Sequence, residues 1–87
     1  MSEPALETPA GRELYVRYAR LEGRSIVRLR AVDEGARCLV EADVWPEENG
    51  EPVPAGPYAF PSPIEATRFV THAVEALIAL GCEVAAS

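Results

Sequence analysis

The sequence predicts a small two-layer α+β domain: an antiparallel β-meander of three strands, with room for a short fourth, covered on one face by a C-terminal amphipathic helix. Three observations carry this expectation. Residues 12–45 contain three successive stretches in which apolar and polar side chains alternate with period two, the pattern of strands with one buried face. Two turn signals, Glu22-Gly23 and Asp33-Glu34-Gly35-Ala36, separate them. Downstream, Ser62-Pro63-Ile64-Glu65 reads as a helix start and Gly81 as a helix stop.

The first strand, residues 12–20, places Leu14, Val16 and Tyr18 on one face and Glu13, Tyr15, Arg17 and Ala19 on the other. The second, residues 24–32, sets Val27, Leu29 and Ala31 against Ile26, Arg28 and Arg30. The third, residues 37–45, sets Cys38, Val40, Ala42 and Val44 against Arg37, Leu39, Glu41, Asp43 and Trp45. A two-residue loop at Glu22-Gly23 pairs Tyr18 with Val27, Val16 with Leu29 and Leu14 with Ala31. A four-residue loop at 33–36 pairs Ala31 with Cys38, Leu29 with Val40 and Val27 with Ala42. Both registers name one apolar face, and a one-residue slip would mix the faces. Residues 46–57 read as a Pro-rich acidic loop, followed by a short strand at Tyr58-Ala59-Phe60.

The helix is expected over residues 63–80, with Ala66, Phe69, Val70, Ala73, Leu77 and Leu80 packing on the meander and Thr67, Arg68, Thr71, His72 and Glu75 facing water. Residues 82–84 supply a brief edge strand or a frayed end. Residues 1–11 read as a flexible N-terminal tail, leaving residues 12–87 as a single domain. No apolar run approaches the roughly 20 residues of a membrane span, and the N-terminus lacks the basic and apolar regions of a signal peptide. The sequence therefore points to a cytoplasmic protein.

Charge is unevenly placed. All eight basic residues are arginine, and seven lie between Arg12 and Arg37 against Glu13, Glu22, Asp33 and Glu34, a net of +3. From Cys38 onward Arg68 stands alone against eight acids, within a total of −6 that disfavours non-specific binding to nucleic acid. Cys38 and Cys82 lie too far apart in sequence for a metal motif and read as packed thiols. Glu47, Glu48 and Glu51 match no calcium loop, and His72 has no catalytic partner in sequence. There is no phosphate-binding, dinucleotide-binding or zinc motif, so neither a cofactor nor a metal nor a catalytic activity is expected.

The candidate working surface is the sheet face away from the helix. The registers above place Tyr15, Arg17, Ile26, Arg28, Arg30, Leu39 and Trp45 there, more apolar and aromatic than a solvated face needs. The reading is a small intracellular protein-interaction or regulatory module, working as a homodimer or with another protein and without membrane contact. The alternative is a single-stranded nucleic-acid platform, with Tyr15 and Trp45 stacking bases and Arg17, Arg28 and Arg30 holding phosphates. The meander-plus-helix order resembles that of some single-strand DNA-binding cofactors and antitoxin-type domains, a likeness of topology alone.

Overall fold

A computed structural model describes residues 11–86. The tail expected over residues 1–11 lies outside the described residues except for Gly11. The chain forms β1 (Arg12–Leu21), β2 (Arg24–Asp33), β3 (Cys38–Val44), β4 (Val53–Phe60), α1 (Pro63–Ala79) and β5 (Glu83–Ala86). All five strands form one sheet in the order β4-β3-β2-β1-β5 with antiparallel pairing throughout. Among the described residues the α+β class, the meander and one C-terminal helix are as the sequence predicts. Two elements extend it. β4 begins at Val53, so the Pro-rich stretch is half loop and half strand. Chain beyond the helix returns to the opposite edge as β5.

Pro54 and Pro57 fit inside β4 because it is an edge strand, where a missing amide donor leaves no inner ladder incomplete. Gly56 takes φ +87 within it, and a β-carbon there would press at 3.0 Å on the Val40 carbonyl and on Tyr58. The β3–β4 register accordingly shifts between Val40 and Ala42.

The first turn is Glu22-Gly23, with φ 53 and 79, the paired left-handed residues that a tight hairpin needs. Leu21 faces Arg24 and Arg20 faces Ser25, but beyond them Ala19 faces Val27. Ile26 is thus an extra residue on β2, a β-bulge, and it reverses the expected faces of β1. Tyr15, Arg17 and Ala19 now sit opposite Ala31, Leu29 and Val27 on the helix side, while Val16 and Tyr18 turn away with Arg30 and Arg28. A second bulge at Leu14 lets both Leu14 and Tyr15 pack against the core.

The second hairpin corrects the expected register by two residues: Ala31 pairs with Val40, Leu29 with Ala42 and Val27 with Val44. The loop is residues 34–37, closed by the Glu34 amide donating to the Arg37 carbonyl at 2.9 Å and the Gly35 amide donating to Asp33 Oδ1 at 2.8 Å. A two-residue shift leaves the faces unchanged, since side chains alternate with period two.

The core lies between the helix and β2, β3 and β4. It centres on Leu29, Cys38, Val40 and Ala42 of the sheet with Ala66 and Val70 of the helix. Phe69 closes one side, its ring centroid 5.4 Å from Tyr58 and 5.2 Å from Phe60. Ser62 caps the helix by accepting from the Glu65 amide at 3.4 Å, with Pro63 at the first position. The C-terminus unwinds at Leu80 and Gly81 (φ +100), where the Cys82 amide donates to the Leu77 carbonyl. Leu80, expected in the core, is 75% exposed, and Val74 packs there instead.

The two leucines give a direct contrast. Leu29→Ala, at a site 5% exposed, is expected to cost about 2–5 kcal/mol in urea denaturation, whereas Leu80→Ala stays within about 0.5 kcal/mol. Glu22→Asn places a residue that tolerates positive φ in the turn and is expected to stabilise by up to about 1 kcal/mol in the same assay.

Candidate interaction surface

The face opposite the helix is built from three rows that cross the strands. Tyr18, Arg28 and Asp43 form one row, and Val16, Arg30 and Glu41 the next. Glu13, Val32, Leu39 and Ala59 form the third. Each central arginine is held by carboxylates. Arg28 Nη2 lies 2.9 Å from Asp43, and Arg30 reaches Glu13 through Nε at 2.8 Å and Glu41 through Nη1 at 2.7 Å. Hydrogen bonds donated to Glu13 and then to Glu41 hold the Arg30 guanidinium above its ordinary pKa.

Val16 is only 5% exposed although it lies on this helix-free side. It sits opposite Arg30, and an arginine stem anchored at its head covers apolar surface beside it. Val32 and Leu39, paired with each other, are also buried. A β-carbon on Gly11 would collide with the Val32 side chain, so the backbone at Gly11 crosses close over that valine.

Of the residues expected on this face, Arg28, Arg30 and Leu39 are brought together. Tyr15 and Arg17 are not: the bulge at Ile26 turns them toward the helix. There the Tyr15 hydroxyl shares a 3.0 Å hydrogen bond with Thr67 Oγ1, and the Arg17 guanidinium lies 4.7 Å from the Tyr15 ring centroid. Ile26 is the bulge residue itself, and its carbonyl accepts from the Trp45 amide at 2.9 Å. Trp45 belongs to the end of the sheet, where it lines a polar cavity of about 410 Å³ with Arg24, Ser25 and Asn49. Sequence reasoning missed Tyr18 and Val16 on the face, because nothing in the alternation of β1 marks the extra residue on its neighbour, and it assigned Val32, at the end of β2, to neither face.

No nucleophile–base pair forms from the residues singled out. Cys38 is buried in the core, and His72 is exposed on the helix. Burial, then the nearby Asp33 charge and a hydrogen bond to it, push the Cys38 thiol above its ordinary pKa. Among the described residues no cluster of His, Cys, Asp and Glu is suited to hold a metal ion, and no helix is long and apolar enough to cross a membrane. No protein-family model, no curated protein and no solved structure matches this chain.

The raised Cys38 pKa has a defined sign in stability. The folded state keeps the thiol protonated where the unfolded chain ionises, so this contribution is complete below the unfolded value and is lost as pH rises past about 8.5. Stability measured across the alkaline range is expected to fall, and Cys38→Ala should flatten that part of the curve. An unchanged slope in the variant would assign the alkaline loss to another group.

Proposed function

We propose that this domain is a small protein-interaction module that self-associates as a homodimer through its helix-free sheet face. One observation carries the reading: the arginines of that face stand on β2 and each has a carboxylate partner on β3, in matching rows. Consider a two-fold axis parallel to the strands and lying between β2 and β3 of two stacked sheets. It sets β2 of one copy over β3 of the other and keeps the rows in step. Arg28 then faces the second copy's Asp43, and Arg30 its Glu41, a self-complementary contact of the kind an isologous interface requires. Tyr18 adds an aromatic anchor at the β1 side.

The same ion pairs weigh against the nucleic-acid reading. Arg28 and Arg30 are already held by carboxylates, Tyr15 and Arg17 face the helix, and the chain carries a net −6. A phosphate backbone would have to displace those carboxylates.

Sedimentation equilibrium tests the dimer with a charge swap. The wild type is expected to dimerise, Asp43→Arg to be monomeric, and Arg28→Asp combined with Asp43→Arg to dimerise again. A wild type that stays monomeric at about 1 mM defeats the reading. Low-salt binding to mixed single-stranded oligonucleotides, abolished by Arg28→Glu, would favour the alternative.

A further inference from the structure

β5 covers only part of its neighbour. It pairs with Arg17, Tyr18, Ala19 and Arg20 of β1, and among the described residues no strand pairs with residues 12–16 on that side. Among the described residues, the first half of β1 therefore presents backbone amides and carbonyls free of strand pairing along an edge that contains no proline, with the Val16 carbonyl accepting from Arg17 Nη1 at 3.0 Å. The opposite edge of the sheet, β4, carries Pro54 and Pro57.

A cavity of about 180 Å³ adjoins this uncovered stretch on the helix side. It is lined by Tyr15 and Arg17 from β1 and by Val70, Thr71, Val74 and Glu75 from the helix. Tyr15 belongs to both features. The volume is below that of a drug-sized ligand site, at roughly 300–1,000 Å³, and suits a single apolar side chain. An open strand edge beside a side-chain pocket is the arrangement by which sheets take up an extended peptide: the backbone bonds give affinity and alternate side chains give specificity.

We propose that residues 12–16 of β1 accept one extended segment of a partner protein as an added strand in line with β5, with an apolar side chain in the cavity beside Tyr15 and acidic side chains at its two ends. The charge follows from the edge. Arg12 and Arg17 bracket the uncovered stretch, Arg12 largely exposed and only loosely paired with Asp33 at 3.8 Å, and β1 carries three arginines against Glu13, itself held by Arg30. On the cavity wall Glu75 offsets Arg17, and Val70 and Val74 lie between the helix and β1, so the pocket carries no net charge and the centre of the segment is apolar. The bulge at Leu14 interrupts the edge, so the added strand registers first against Tyr15 and Val16. A second copy offers no acidic-ended segment among the described residues: β4 is broken by prolines, β5 is four residues ending in two alanines, and the first half of its β1 brings the same Arg12 and Arg17 against this edge. The site is independent of the helix-free face.

The test uses fluorescein-labelled heptapeptides in an anisotropy titration of the whole chain. One has aspartate at both ends around alternating threonine and leucine, and its twin has lysine at both ends. The acidic peptide is expected to bind about tenfold or more tighter than its twin, to protect the outward-pointing amides among residues 12–16 from hydrogen exchange, and to bind Arg28→Glu unchanged. Thr71→Trp, which fills the cavity from the helix wall, and Arg12→Glu, which removes the charge, are each expected to weaken it. Equal or absent binding of both peptides up to about 1 mM, protection located on β4 or the helix-free face, or loss of binding when the protein is driven to dimerise would overturn the proposal.

Discussion

The extra residue at Ile26 governs how β1 meets everything around it. Without it, Val16 and Tyr18 would point at the helix, and Tyr15 and Arg17 would stand among the arginines of the other face. With it, the Tyr15 hydroxyl reaches Thr67 on the helix, and Ala19 is buried beside Val27. A bulge of this kind costs a ladder position and increases local twist. Here the Ile26 carbonyl stays satisfied through the Trp45 amide, so the irregularity leaves that acceptor paired. The row of Val16, Arg30 and Glu41 on the outer face exists only because β1 has been rotated in this way.

The helix acts as a strap between the two edges of the sheet. It follows β4 directly, packs across the inner strands through Ala66 and Val70, and delivers the chain to β5 on the far side. Apart from Leu29, the buried sheet residues beneath it are small or β-branched: Cys38, Val40 and Ala42. Small side chains in the sheet allow close approach of the helix, and the larger Phe69, Tyr58 and Phe60 fill the wedge at the β4 side. The same economy of volume leaves the opposite side, toward β1, with the gap beside Tyr15.

The period-two alternation of residues 24–44 made the β2 and β3 faces legible, and the capping sequence at Ser62 made the helix start legible. Those signals are local, and local sequence determines them. What was not legible was relational. Ile26 has nothing in its own identity that marks it as unpaired; a bulge is a mismatch between two strands, and either strand alone looks regular. The same holds for Val53 to Pro57, where two prolines and a glycine read as loop until the edge position of β4 is known. Leu80 fits the apolar helix stripe by spacing, yet the helix has already begun to unwind there toward Gly81. Of the candidate surface, Arg28, Arg30 and Leu39 were identified because they lie on β2 and β3, and Tyr15 and Arg17 were misplaced because they lie on β1.

The unequal treatment of the two sheet edges limits how copies of this protein can misassemble. A polymer of stacked strands needs two open ends on every subunit, one to receive and one to offer. Pro54 and Pro57 remove donors from the β4 end, so a subunit that joins another through its β1–β5 end presents a blunted margin outward. Growth of that kind stops after one addition. The prolines therefore act as chain terminators, and a destabilised or concentrated preparation should accumulate pairs before it accumulates fibres.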